Sequence, residues 1–186
     1  DYLGAYEKYQ RAEDETEAAR VLCQSLVEKN PNEPKFQLIL AEAYLRLKRL
    51  HDRLGKLGKS LAEGRAALEI TKELVKQFPA VPSYRRALAI SHGNLAASLS
   101  QLGRLEDTIS ERRSGRDIFG KLVERFPDEP EYQASLAQDH SVLGSFLYSY
   151  KRFDQARTEW EAGVNSWQRL TEQFPDVLHY RDMLGR

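Results

Sequence analysis

Phe78-Pro79-Ala80-Val81-Pro82-Ser83-Tyr84-Arg85 decides the fold, because the phrase recurs. Forty-eight residues later the chain reads Phe126-Pro127, with Pro130 and Tyr132 following, and forty-eight later again Phe174-Pro175 and Tyr180. Forty-eight residues earlier stand Asn30-Pro31, Pro34 and Phe36. Only Leu178 breaks the pattern of second prolines. A period of this size held without insertion marks a tandem array.

Working outward from Pro82, apolar or aromatic side chains fall at Tyr84, Leu88, His92, Leu95, Leu99 and Leu102, in steps of three and four. That is the stripe of an amphipathic helix, here called helix A. One repeat earlier the slots hold Phe36, Leu40, Tyr44, Leu47, His51 and Leu54; one later, Tyr132, Leu136, His140, Leu143, Leu147 and Tyr150. Proline suits the first turn, where the backbone N–H has no partner to lose. Asp128 and Glu131 have the spacing of a capping box. Helix A stops near Gly55, Gly103 and Lys151, where glycine supplies a left-handed turn. Helix B follows, through Leu74/Leu122/Leu170 to Phe78/Phe126/Phe174, until the junction proline ends it. Each helix runs ~20 residues, or ~30 Å, and the short connections require antiparallel neighbours.

In the same register residues 8–29 read as a helix B and residues 1–6 as the stump of a preceding helix A. The expected fold is all-α: an α-solenoid of antiparallel hairpins with seven main helices, one or two stumps and no strands. As domains, residues 1–186 form a single array, with partial repeats at 1–30 and 175–186 and full repeats at 31–78, 79–126 and 127–174. Stacking buries the stripe that one hairpin cannot bury alone. The chain begins at Asp1 and stops eleven residues into a fourth repeat, so it is read as a fragment of a larger protein.

These residues resemble the tetratricopeptide repeat (TPR) family. In the third copy His140, Leu143-Gly144, Leu147, Lys151-Arg152-Phe153, Ala156, Trp160 and Gly163 follow the TPR order of large, Leu-Gly, aromatic, turn, aromatic, Ala, aromatic and small residues. The second copy keeps Leu95-Ala96, Gly103-Arg104-Leu105 and Gly115 but carries Thr108 and Arg112; the first departs at Lys48, Ser60 and Gly64. The repeat is fourteen residues longer than the usual TPR unit of about 34. Long units with Leu88-Ala89, His92, Leu95 and the Phe-Pro phrase resemble arrays attached to bacterial serine/threonine kinases and other multidomain regulators. The resemblance implies a right-handed superhelix, helix A lining a concave wall, and a protein-binding role.

Composition narrows the function classes. Lys+Arg and Asp+Glu are equal at 28 each, so no overall charge draws the chain to nucleic acid or membrane. Locally, residues 1–33 carry eight acids and four bases, and residues 34–60 seven bases and two acids. No apolar run approaches the ~20 residues a membrane span needs. The single cysteine, Cys23, has no partner for an internal disulfide and fits a reducing, cytoplasmic location.

Catalytic and metal motifs are thin. Gly58-Lys59-Ser60 ends like a phosphate-binding loop, but Arg53 stands where the first glycine belongs and a helix leads in. His92 and His140 share one slot, yet Tyr44 fills it in the first copy, so packing is the reading and metal duty is not. Cys23 aligns with Thr71, Phe119 and Trp167, a small buried side chain rather than a reactive thiol. Trp160 and Trp167 read as core. Gly115, Gly144 and Gly163 suit close helix approach, whereas Gly93 and Gly120 have no such reason. No cofactor, metal or catalytic residue is assigned, and the chain is read as no enzyme.

The candidate site is a face of helix A. Arg46, Arg49 and Arg53 are spaced i, i+3, i+7, off the core stripe. Later copies add Asn94 and Gln101, then Gln138, Ser145 and Tyr148. Arginine binds carboxylates bidentately, so the expected partner is an acidic peptide, another protein, or another domain of the same chain. The plainer alternative is a solvated face, or one neutralised by Glu13-Asp14-Glu15 and Glu17. Nucleic-acid binding along residues 46–59 is the other function considered; it predicts steep loss of affinity with salt.

Overall fold

The computed structural model describes residues 2–184, with side chains over 7–183. The helices are α1 (Tyr2–Lys29), α2 (Pro34–Arg53), α3 (Leu57–Gln77), α4 (Pro82–Gln101), α5 (Leu105–Arg125), α6 (Pro130–Ser149), α7 (Phe153–Gln173) and α8 (Leu178–Leu184). No strand occurs among the described residues. Helix starts and ends keep the interval of the sequence: α2, α4, α6 and α8 begin at 34, 82, 130 and 178, and α3, α5 and α7 end at 77, 125 and 173.

Each junction is built the same way. The Phe78, Phe126 and Phe174 N–H groups close the last turns of α3, α5 and α7 onto Leu74, Leu122 and Leu170 carbonyls. The chain then reverses, and the phenylalanine ring meets the tyrosine of the next helix edge-on: Phe78–Tyr84 at 5.9 Å, Phe126–Tyr132 at 6.1 Å, Phe174–Tyr180 at 6.3 Å between centroids. The residue after each tyrosine reaches back to the junction proline, with Arg85, Gln133 and Arg181 side chains donating to the carbonyls of Pro79, Pro127 and Pro175. The recurring phrase therefore encodes a corner: proline removes the donor that would continue the helix, and the two rings set the entry of the next.

The turn inside each hairpin is equally regular. Gly55, Gly103 and Lys151 have φ of +68°, +70° and +60°. The next residue's N–H bonds back across the helix end (Lys56 to His51 at 2.8 Å, Arg104 to Leu99 at 2.9 Å, Arg152 to Leu147 at 3.0 Å). This is the Schellman end that glycine favours, taken by lysine in the third repeat. The capping box at Asp128 and Glu131 does not form. The N-cap is Glu129, one residue too late for that spacing, it makes no side-chain cap, and Pro130 occupies the first helical turn.

The expected break near residue 7 is also absent, since α1 is one helix of 28 residues. Glu7-Lys8 fill the slots of Gly55-Lys56, and both are good helix formers.

The chain packs as two compact units, residues 1–111 and 112–186. In the first, α1 packs on α2, α2 on α3 and α3 on α4, and α2 also touches α4. Its core joins Ala41, Leu45 and Ala67 with Tyr44, Ile70 and Ile90, and joins Leu68, Leu95 and Leu99 with Leu61 and Leu88. In the second, α6 packs on α7 and α7 on α8, around Ala137, Trp167 and Leu170. Gly144 is required there, because a Cβ would stand 2.6 Å from Trp160 Cδ1; at Gly163 it would stand 3.2 Å from Ser141 Oγ. Helices thus pack in sequence order within each unit.

Candidate functional site

At about 100° per residue, α2 presents two polar sides. One carries Lys48, His51 and Asp52 into the protein; the other carries Arg46, Arg49 and Arg53 outward.

The inward side is a buried ionic network that the apolar periodicity of the sequence does not reveal. Lys48 is 2% exposed and bonds Asp52 Oδ2 at 2.6 Å. Asp52 Oδ1 takes the Ser60 hydroxyl at 2.5 Å, and Ser60 in turn pairs with Ser98 at 2.8 Å. His51 bridges two carboxylates, Nε2 to Glu13 at 3.0 Å and Nδ1 to Glu63 at 2.5 Å. Both ring nitrogens of His51 thus lie within hydrogen-bond distance of a carboxylate oxygen. Glu13 also accepts from Lys56 at 2.5 Å and Lys59 at 3.3 Å. The Lys56 hydrogen bond, aided by His51 and Lys59, outweighs burial and holds Glu13 down at about 2. Glu63 is pushed up by burial, which its bond to His51 only partly offsets.

The phosphate-loop fragment is absorbed by this network. Gly58-Lys59-Ser60 lies in the first turn of α3, Ser60 is fully buried, and Lys59 points at Glu13.

His92 and His140 are more than packing residues. His92 Nδ1 meets Glu111 Oε2 at 2.6 Å, and His140 Nδ1 meets Glu159 Oε2 at 2.7 Å, each tying helix A to helix B. Arg116 shares Glu159 at 2.7 Å. Burial raises Glu159, but the His140 and Arg116 bonds prevail and hold it below the ordinary range. The sequence carries a signal for these pairs, since Glu63, Glu111 and Glu159 recur at the repeat interval; in the first copy, where Tyr44 replaces the histidine, His51 serves Glu63 instead. No group of metal-ligating side chains occurs among the described residues. Desolvation, only partly offset by Arg112, pushes Asp139 up to about 6.

The outward side of α2 is the candidate site. Arg46, Arg49 and Arg53 are exposed and make no ion pair with a carboxylate among the described residues. Two of the acids expected to neutralise them are engaged elsewhere: Glu13 in the buried network and Glu17 with Arg20 at 2.7 Å. Arg53 lies 5.9 Å from the Tyr9 ring, a cation–π contact. With Ala12, Thr16 and Leu50 the three arginines line a cleft of about 260 Å³ between α1 and α2. A second hollow of about 380 Å³ adjoins it, sharing Thr16 and Arg46 and walled further on by Ala19, Cys23, Ile39 and Ala43. Cys23 is half-buried, forming part of this wall rather than a sealed core.

The remaining candidates differ. Asn94 on α4 turns its amide onto the Ile90 carbonyl at 2.9 Å, while Gln101 is exposed at the helix end. In the second unit Gln138 and Ser145 are exposed on α6, with the Ser145 hydroxyl bonded to the Ser141 carbonyl. Tyr148 is 55% exposed and belongs to an aromatic cluster with Phe153 at 5.3 Å and Trp160 at 5.4 Å. Trp160 is half-buried, whereas Trp167 is core.

In the basic stretch 46–59, Lys48, Lys56 and Lys59 are bound to carboxylates, which removes three of the bases a nucleic-acid surface would need. No helix among the described residues is long and apolar enough to cross a membrane.

Helix–turn–helix units repeated in tandem and packed in order within each unit make this a TPR-like, all-α helical-repeat fold. Among solved structures, BtubC (BKLC) from P. vanneervenii is similar, with a TM-score of 0.66 at 17% identity over 87% of this chain; the chain spans 58% of that structure's length. TTC0263, a thermophilic TPR protein of Thermus thermophilus, aligns over 99% of this chain and 92% of its own at 20% identity. Its TM-score of 0.29 is too low to carry structural weight. No protein-family model and no curated protein matches the chain.

Proposed function

We propose that the chain is a non-catalytic interaction scaffold that binds an acidic peptide in the cleft between α1 and α2. One observation carries the reading: three exposed arginines on a single helix face have no carboxylate partner among the described residues, while Glu13 and Glu17 nearby pair elsewhere. A carboxylate ligand meets bidentate guanidinium donors there without first displacing an internal ion pair. The non-catalytic reading is supported by Ser60, whose buried hydroxyl bonds Asp52 and Ser98 rather than a base facing solvent. A regulatory protein of several domains in a reducing cytoplasm is the proposed setting, with the acidic segment on a partner or on another domain of the same chain.

The test is capture of a synthetic acidic peptide by the wild type and by R46E/R49E/R53E. Charge reversal at three exposed positions should leave the fold intact and weaken capture at least tenfold, most of all at low salt. Unchanged capture removes the cleft from consideration. A wild type that captures a DNA oligonucleotide but not the peptide, with the DNA lost in R46E/R49E/R53E, would favour nucleic acid instead.

A further inference from the structure

Resting on that reading, we infer that the α1–α2 cleft has two ends of different chemistry and fixes the direction of its ligand. It would take a peptide with an apolar anchor at one end and a cluster of carboxylates at the other. The two adjoining hollows form one trough, because Thr16 and Arg46 line both. At one end stand Arg46, Arg49 and Arg53, with Tyr9 beneath Arg53. At the other, Ala19, Cys23, Ile39 and Ala43 make an apolar wall in which Ile39 is 45% exposed.

Glu15 and Glu42, both exposed, line that second hollow as well. They repel a carboxylate at the apolar end, so a peptide laid in reverse would set its acids against two glutamates and leave three arginines unmatched. Discrimination of this kind comes as much from repulsion of the wrong pose as from attraction to the right one. From Ile39 to Arg49 is ten helical residues, about 15 Å at 1.5 Å per residue. The anchor and the carboxylates should therefore lie about 15 Å apart, roughly three helical turns or four to five extended residues of ligand.

Cys23 is the only cysteine and lines the apolar end, which provides a test of direction. Two synthetic peptides are compared, each with two leucines at one end and four glutamates at the other, differing only in whether a terminal cysteine follows the leucines or the glutamates. In a buffer of reduced and oxidised glutathione, where glutathione disulfide is the oxidant and is released as two glutathione thiols, exchange with Cys23 should trap the leucine-end cysteine at least tenfold more than the glutamate-end cysteine, since docking raises the local thiol concentration. Trapping of neither, or of both alike, overturns the assigned direction.

A thiol-independent arm uses anisotropy. I39E should weaken the leucine-bearing peptide about tenfold and leave an all-glutamate peptide unchanged, whereas R49E should weaken both. If I39E affects the two peptides equally, or neither, the apolar anchor is refuted although acidic-peptide binding stands. If R46E/R49E/R53E affects neither, the binding reading itself fails.

Discussion

The turn between the helices of each hairpin yields a prediction with its own internal comparison. Gly55, Gly103 and Lys151 occupy equivalent positions with φ between +60° and +70°. Left-handed backbone costs a residue bearing a Cβ roughly 1–2 kcal/mol. Unfolded glycine has greater freedom, which offsets about 0.5–1 kcal/mol of its advantage. Lys151→Gly should therefore stabilise the protein by about 0.5–1 kcal/mol, and Gly103→Ala should destabilise it by a similar amount. Nothing else intervenes: a Cβ at Gly103 meets no atom within 4 Å, and the Lys151 side chain is exposed. Lys151→Ala serves as control, because it removes the side chain but retains the Cβ, and should be close to neutral. The assay is urea unfolding followed by circular dichroism, with a change in midpoint at constant m-value. The melting temperature should move by about 2–4 °C per kcal/mol for a chain of this size. A neutral Gly103→Ala, or a Lys151→Gly that destabilises, would refute the left-handed turn as the determinant of the hairpin.

Other substitutions probe the interior. Glu13→Gln should cost about 1.5–3 kcal/mol at pH 7, the range for charged hydrogen bonds. The folded pKa of Glu13, about 2, lies below the ordinary value of 4.5, so its contribution is fully present above pH 4.5 and is lost as pH falls toward 2. The stability gap between wild type and Glu13→Gln should accordingly narrow below pH 4.5, and a gap that widens there contradicts the network. Gly144→Ala should destabilise by about 1–3 kcal/mol through overpacking and expose the Trp160 indole, read as a red shift in tryptophan fluorescence. Gly120→Ala should stabilise by about 0.5–1 kcal/mol, since a Cβ there meets nothing within 4 Å and the helix gains a better former.

What is legible in the sequence depends on whether the physics is local. The Phe-Pro junctions, the proline starts and the glycine turns are each decided within a few residues, and the helix boundaries repeat at the expected interval. The extent of α1 departs from expectation because Glu7-Lys8 fill the slots of Gly55-Lys56 without the glycine that calls for a turn. The capping box at Asp128 fails for a similar reason, as the second proline shifts the N-cap to Glu129. The polar partners are harder to read, since they are chosen by three-dimensional proximity. Glu13 reaches Lys56 across forty-three positions, and nothing in its neighbours announces that. The His92–Glu111 and His140–Glu159 pairs are accessible, being repeated nineteen residues apart, but only when polar slots are aligned as carefully as apolar ones. The arginine face follows from spacing alone; its freedom from carboxylates among the described residues emerges only because Glu13 and Glu17 are engaged elsewhere.

The most direct measurement of the central claim is an NMR titration of arginine Nε–Hε resonances with the leucine–glutamate peptide. Those of Arg46, Arg49 and Arg53 should move together and saturate with one dissociation constant, while exposed Arg113 and Arg157 stay in place. Shifts confined to Arg113 and Arg157, or no arginine shift at a concentration where the peptide is bound, would contradict an acidic ligand in the α1–α2 cleft.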